Sequence, residues 1–468
     1  MSKITLNDIT IFSRKERRVD EAKVRKALIS SGRLYSDLNN LFFFDKEKRI
    51  VENIGVAGNK AVSKVRAELF DDDVIAVLDI KRLENALKDI VAIPRLWFDS
   101  QRTKNTTLVN LQNGVLDLRD LTLREESDEA LIFDSQLDFS FKGKDINVKE
   151  EAPVFARFCE ESLGTVFEEN GKVYANEPKL TSLLQGMGYL LSNVGSFRKA
   201  VFLMGPPASG KSTILHLLAR VMTPATTVSA YNFRQLTKSF TMASVATSKL
   251  NIVEELDNVS KIQLEVFKLL VAGGRLSGER KYQSDVEVKA SVKLAIASNS
   301  LPLFEAGNLA PIIDRMHLIV FENTISSSKR DTDLENKLWQ ERDIIFSLAL
   351  AEFSKVVQNK GEFTMDNKAE GLLNRLLEEA NNEEQFIKTH IELSPGSNLA
   401  ANRVLDAYRS FCKENAFVAK SPHYLYQAIF LAFGTAGVKK KVRDPEVLCG
   451  SSVQGFAGLR LKGGEDVD

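Results

Sequence analysis

The sequence predicts an α/β protein built on a parallel sheet, with helical flanks and a small C-terminal module of helices and strands. Three observations predict it. Val201-Phe202-Leu203-Met204 is an apolar run that opens directly onto a glycine-containing turn and an amphipathic helix. Two later apolar runs, Leu250 to Val253 and Val292 to Ala297, end in polar residues as buried strands do at a sheet edge. Segments with apolar residues at helical spacing lie before and between these runs.

With 468 residues the chain has room for about three domains. A hydrophobic fraction of 44% and a charged fraction of 27% exclude a disordered or low-complexity protein. The 63 Lys and Arg equal the 63 Asp and Glu, which excludes coating of nucleic acid through bulk positive charge and leaves only local patches. Cys159, Cys412 and Cys449 form no CxxC pair, and His216, His317, His390 and His423 do not cluster. Neither a disulfide framework nor a zinc site is therefore expected, and a reducing cytoplasmic setting fits. No apolar run reaches 18 residues and the N-terminus has no signal-like core, so no membrane association is expected.

Along the chain, residues 1 to 35 are basic. Leu41 to Phe44 reads as a strand, and Ala61 to Phe70 and Ile80 to Ile90 read as helices. Asp71-Asp72-Asp73, with Asp79 nearby, reads as a solvated loop rather than a metal site. Leu108 to Leu118 reads as two strands around an Asn113-Gly114 turn, because that dipeptide favours the type I′ hairpin. Residues 124 to 138 and 362 to 384 are acidic and read as outer helices, and Pro153 to Asn193 reads as helical. The expected divisions are 1–104, of unassigned role; 105–195, mixed and helical; 196–325, the sheet core; 326–395, helical; and 396–468, the C-terminal module.

Gly205-Pro206-Pro207-Ala208-Ser209-Gly210-Lys211-Ser212-Thr213 is GxxxxGK(S/T), the P-loop. Ile214, Leu217, Leu218 and Val221 after it keep helical period, so strand, loop and helix stand in the required order. A helix N-terminus offers unpaired N–H groups and the positive end of a dipole, both of which favour phosphate. Pro206 and Pro207 lack N–H, so the cradle falls to Ser209 through Thr213, with Gly205, Ala208 and Gly210 shaping the turn. This reading assigns ATP and Mg2+ as cofactors, with Lys211 reaching the β and γ phosphates and the Ser212 hydroxyl ligating the metal.

Leu250-Asn251-Ile252-Val253-Glu254-Glu255 places two acids at a strand end, Glu254 lying 43 residues after Lys211. Glu254 is assigned to the Mg2+ side and Glu255 to polarising water, with the reverse order left open. Asn299 follows the third strand, where an amide can bond the attacking water or the γ-phosphate; a plain Asn-Pro-type turn is the competing reading.

In order, GPPASGKST, LNIVEE, KLLVAGGRLSGERKYQSDVEVKASVK and LAIASNSLP with Asp314-Arg315 downstream resemble the superfamily III helicases. These are viral, phage and plasmid replicative motors with a modified AAA+ core, and the match is to the poxvirus and phage helicase-primase branch. The resemblance covers roughly 105 to 325, where NLQNGVLDL is similar to the collar-like domain preceding the motor. It implies a hexameric ring with ATP at subunit interfaces, Lys211, Ser212, Glu254, Glu255 and Asn299 on one subunit, and Arg315 reaching in from the neighbour. It also implies movement 3′ to 5′ on single-stranded DNA. Two departures stand out: the acidic pair is Glu-Glu where relatives often carry Asp, and Met316 follows Arg315 where many carry a second Arg.

Val266, Phe267, Leu269 and Leu270 give a helix face that stops at Gly273-Gly274, after which Arg275 to Tyr282 and Val286 to Lys289 pair across a short turn. In the family such a hairpin enters the ring channel. Lys281, with Arg280 as second choice, then neutralises phosphate without reading bases.

At the C-terminus, Asn402 to Phe411 reads as a helix and Ser421-Pro422 opens a second. The stretches Val438 to Arg443 and Phe456 to Leu461 read as strands, an arrangement that resembles a winged helix. In related proteins this module binds DNA near an origin, which assigns Lys439, Lys440, Lys441 and Arg443 to phosphate; a generic solvated wing is the competing reading.

The leading expectation is an ATP-dependent replicative DNA helicase of a phage, plasmid or mobile island, also recognising duplex origin DNA through its C-terminus. No fused primase is expected, and residues 1–104 are free to dock a separate one. The alternative is an ATP-switch initiator or loader that assembles on DNA without processive unwinding. A small-molecule P-loop kinase is disfavoured by Asn299, Arg315 and the flanking modules.

Overall fold

The computed structural model describes residues 3–13, 16–36, 41–55, 58–93, 107–124, 133–165, 178–195, 197–236, 238, 241, 245, 248–256, 262–278, 286–289, 292–301, 309–326, 328, 330–415, 417–443 and 452–462. The fold is mixed α/β. It divides into one compact unit of residues 1–303 and 316–366 and a second of 304–315 and 367–468. No helix among the described residues is long and apolar enough to cross a membrane.

In the first unit, the N-terminal segment packs helices Glu21–Ser30, Asn59–Leu69 and Ile80–Val91 with an antiparallel sheet of Leu34–Ser36, Leu41–Asp45 and Ile50–Gly55. Val24, Leu28, Phe43, Val65, Leu83 and Leu87 fill its core. The acidic run expected to be a loop instead starts a helix: Asp71 is the N-cap of Asp72–Val77. Asp79 likewise caps Ile80–Val91 and accepts from the Lys81 amide. Carboxylates in a first turn oppose the positive end of the helix dipole, which accounts for the cluster without a ligand.

The expected hairpin forms one residue early. Leu108–Leu111 pairs with Gly114–Asp117 so that Leu111 faces Gly114, and the two-residue turn is Gln112-Asn113 rather than Asn113-Gly114. The Asn113 amide is used at a distance, donating to the Phe141 carbonyl at 3.1 Å and accepting from the Phe141 amide at 3.0 Å. These strands share a sheet with Gln136–Leu137, so the acidic stretch 124–138 contributes a strand where an outer helix was expected. Buried Arg49 staples this sheet, donating to Asn110 Oδ1 at 3.0 Å and to the Leu111 carbonyl at 2.7 Å.

The central sheet contains five parallel strands, β1 (Ala200–Met204), β2 (Val228–Ser229), β3 (Leu250–Leu256), β4 (Lys293–Ser298) and β5 (Met316–Val320), in the order β2-β3-β4-β1-β5. Near-continuous apolar runs such as Ala-Val-Phe-Leu-Met suit strands covered on both faces. One core joins Leu183 and Met187 of helix Pro178–Leu191, Val201 and Leu203 of β1, Leu217 of helix Lys211–Arg220, and Phe346 and Phe353 of helix Arg342–Gln358. Side chains on both sides of residue 195 therefore share one interior. At the start of β4, Lys293 is buried and caps the end of helix Pro178–Leu191, donating to the Ser192 carbonyl at 2.7 Å, Ser192 Oγ at 2.9 Å and the Tyr189 carbonyl. Burial pushes its ammonium pKa well below the usual lysine range.

In the second unit, helices Asn382–His390, Ala401–Glu414 and Pro422–Phe433 pack on an antiparallel sheet in the order Ile391–Ala400, Val453–Leu461, Lys440–Val442. Phe386, Tyr408, Phe411, Leu425, Ile429 and Phe456 form its core. The helix at Pro422 and both expected strands are present. The strand Ile391–Ala400 is additional to the expectation; Pro395 and Gly396 interrupt its pattern, and its pairing shifts register between Leu393 and Asn398.

Candidate functional site

The glycine loop 205–210 leaves the C-terminal end of β1 and enters helix Lys211–Arg220. Its shape is imposed from both sides. The Gly205 amide donates to the Ser298 carbonyl of β4 at 3.1 Å, and the Ile325 amide donates to the Ala208 carbonyl at 3.0 Å. Ala208 has φ +57° and Gly210 φ +96°. A Cβ at Gly210 would lie 2.5 Å from the Phe158 ring and 3.0 Å from Ser162 Oγ, so only glycine fits between the loop and helix Pro153–Leu163. The first helical turn leaves the amides of Lys211, Ser212 and Thr213 without carbonyl partners from within the helix.

Lys211 is buried beneath the loop. Its Nζ donates to the carbonyls of Gly205 and Pro206, both at 2.7 Å, to Ser209 Oγ at 3.3 Å and to Asn299 Oδ1 at 3.2 Å. Burial lowers its pKa, and the nearby charge of Glu255 partly opposes that shift. Lys211, Asn299 and Glu255 therefore meet at the C-terminal ends of β1, β4 and β3.

Glu254 and Glu255 sit on an irregularity in β3: Val253 pairs with Ile296 and Leu256 with Ser298, so the two acids oppose Ala297 alone. Neighbouring side chains on a regular strand point to opposite faces, whereas a bulge re-aims one of them. Both acids lie toward the helix that follows the loop. Glu255 is within electrostatic reach of Lys211, and Glu254 Oε1 is 3.6 Å from His216 Nε2. His216 also bonds through Nδ1 to Glu335 Oε1 at 2.7 Å. Sequence reasoning missed this histidine. Its spacing of four from Ser212 puts both on one helix face, but Glu335 lies 119 residues away.

Beside the loop opens a cleft of about 550 Å3 lined by Arg157, Phe158, Ala208, Gly210, Thr213 and Arg330, among others. Asp331 on its wall is held below the usual carboxylate range, by Lys337 first, then by the Asp333 amide and the charge of Arg157. Nothing in the local sequence pointed to this cleft, because its walls come from three separate segments, at 157–161, 208–213 and 325–334.

Of the remaining expected site residues, Ser212 is exposed on the first helical turn. Arg315 belongs to the second unit, where its guanidinium donates to the Pro311 carbonyl. Its Nε is buried without a hydrogen-bond partner. Strands Arg275–Gly278 and Val286–Lys289 pair, but with Gly278 opposite Val286, where a turn at Gln283-Ser284-Asp285 would put Tyr282 there; Arg280 and Lys281 lie outside the described residues. Lys439, Lys440, Lys441 and Arg443 are exposed at and around the strand Lys440–Val442. Among the described residues no group of three or more His, Cys, Asp and Glu is placed to hold a metal. A Mg2+ ion at this loop would depend on phosphate oxygens beside Ser212 and a single acid, a donor set the exposed hydroxyl and the Glu254 carboxylate can complete.

Residues 203–315 match the model of a family of unknown function, DUF5906. No curated protein matches the chain. Among solved structures, the chain is similar to the A form apo structure of the NrS-1 C-terminal region (305-718), with 11% identity and a TM-score of 0.49 over 94% of this chain and 100% of that one. It is also similar to an apo structure of the same region with 12% identity and a TM-score of 0.47, over 94% and 99% of the two chains.

Proposed function

We propose that the chain is an ATP-driven DNA helicase acting in replication of a phage, plasmid or mobile island, with a modified AAA+ core and a C-terminal winged helix. One observation carries this reading: a loop lysine, a strand-end amide and a strand-end acid from three parallel strands converge at Lys211, with Nζ 3.2 Å from Asn299 Oδ1. Ligands of parallel sheets bind outside the C-terminal strand ends, where these groups lie. The paired strands Arg275–Gly278 and Val286–Lys289 support a hairpin, and Arg280 and Lys281 fall between them in the sequence.

In this reading the amides of Ser209 to Thr213 cradle the phosphates. Lys211 exchanges its carbonyl partners for β- and γ-phosphate oxygens. Ser212 and Glu254 hold Mg2+, which supplies positive charge against the transferring phosphoryl group. Glu255 orients the attacking water and accepts its proton as the bond to the γ-phosphorus forms and ADP leaves. Asn299 bonds that water or the γ-phosphate, and Arg315 of a neighbouring subunit in a hexameric ring stabilises the developing charge. The 550 Å3 cleft has the size of a nucleoside site and seats the base and ribose.

Phosphate release with and without single-stranded DNA tests this. Wild type should hydrolyse ATP and be stimulated by DNA, and Lys211→Ala should lose at least about 100-fold in rate. A wild type without hydrolysis sinks the reading. Hydrolysis without strand displacement favours the initiator or loader switch.

A further inference from the structure

Helix Pro422–Phe433 shows an unusual outer face. Leu425 and Ile429 anchor it in the core of the second unit, while His423, Tyr424, Gln427, Phe430 and Leu431 point outward over two turns. Phe430 is 49% exposed, Leu431 75% and Tyr424 39%, and Val438 just beyond is 46% exposed. Tyr424 and Leu431, seven residues apart, share one line of the helix, whereas Phe430 lies about 120° round from Tyr424, so the two rings flank the outward direction with Gln427 between them.

The chain folds back to put cations beside this face. A Cβ on Gly437 would lie 2.6 Å from the Phe430 Cα, so this glycine lets the turn press onto the end of the helix. Lys439 then lies over the Tyr426 ring, 4.7 Å from its centroid, and Lys440, Lys441 and Arg443 follow, all exposed. Residues 415 to 443 contain five lysines and arginines and no aspartate or glutamate.

We infer that this face is a stacking platform for an unpaired nucleic-acid strand, with Tyr424 and Phe430 receiving bases and Lys439, Lys440, Lys441 and Arg443 following the phosphates. The inference rests on the DNA reading above only for its class of ligand. It differs from that reading in mode, because a helix that reads duplex presents hydrogen-bonding groups to base edges. Of the outward residues here, Phe430 and Leu431 can make no such bond. Bases offer their π faces only when unpaired, and aromatic rings beside a cationic track are how sequence-tolerant single-strand sites are built. Charge complementarity selects the occupant: the exposed cations Lys439, Lys440, Lys441 and Arg443, four in five residues, fit a phosphodiester chain.

The test uses the full chain without nucleotide and fluorescein-labelled oligothymidine or hairpin duplex. Tyr424→Ala with Phe430→Ala should weaken single-strand binding by roughly tenfold per ring, leave duplex binding unchanged and keep the salt slope. Tyr424→Trp with Phe430→Trp should restore it. Photocrosslinking to 5-iodouracil-substituted strand should give adducts at Tyr424 or Phe430. Unchanged single-strand affinity, an equal loss on duplex, or adducts only elsewhere overturns the platform and assigns the face to duplex or to a protein. ATP hydrolysis of the ring variant, measured without DNA, should equal wild type. Hydrolysis lost in wild type itself would instead mark failure of the ATPase reading.

Discussion

His317 lies on β5, opposite Val201 of the strand that carries the glycine loop, and it is fully buried. Its Nε2 is 2.8 Å from the Ser182 carbonyl, which fixes the proton on that nitrogen, while Nδ1 is buried without a partner. Burial pushes its pKa down from 6.5 to about 4. Between those values the unfolded chain binds a proton that the folded chain does not, so stability falls as pH falls through this window. The displacement corresponds to a loss of about 2 kcal/mol at pH 5 and roughly 3 kcal/mol near pH 4. Urea unfolding between pH 7.5 and 4.5, on wild type and His317→Phe, reads the effect. The variant loses the second hydrogen bond to the Ser182 carbonyl, which keeps its partner within the helix, at a cost of about 0.5–1.5 kcal/mol at every pH. Its curve should flatten relative to wild type, the difference between the two shrinking as pH drops. Curves that stay parallel from pH 7 to 5 would refute the burial argument.

Two further predictions concern the loop. Gly210→Val places a side chain into the Phe158 ring at a backbone φ of +96°, so nucleotide binding by fluorescent-analogue titration should weaken by more than tenfold; wild-type affinity would contradict the stated packing. Asn299→Ala removes one acceptor from Lys211 and an exposed amide from the site, so the hydrolysis rate should drop by about 10- to 1000-fold with little change in melting temperature. An unchanged rate would assign Asn299 to the turn alone.

The strand, loop and helix at 200–220 were legible because they are contiguous and their periodicities change abruptly at Gly205. Leu250–Leu256, Lys293–Ser298 and the two strands at 275–289 were legible for the same reason. Misreadings arose where one residue type serves two local structures. Asp71 to Asp73 suit a loop or a helix start, and Asn113-Gly114 suits a turn that the register at Leu111 places one residue earlier. What stayed hidden depends on distant partners. Examples are His216 between Glu254 and Glu335, the cleft between Arg157 and Arg330, and the uncovered face of the helix at Pro422. In the apolar stretch Leu425 to Phe433 no local signal separates the buried Leu425 and Ile429 from the exposed Phe430 and Leu431.

The central claim is that hydrolysis at Lys211 drives a strand through a ring gripped by Lys281. Displacement of a labelled strand from forked DNA, with ATP and Mg2+, tests it most directly. Wild type should separate the strands, Lys211→Ala should fail through loss of hydrolysis, and Lys281→Ala should hydrolyse ATP yet fail to unwind. Unwinding by Lys281→Ala at the wild-type rate, or its absence in a wild type that hydrolyses ATP, would contradict the account.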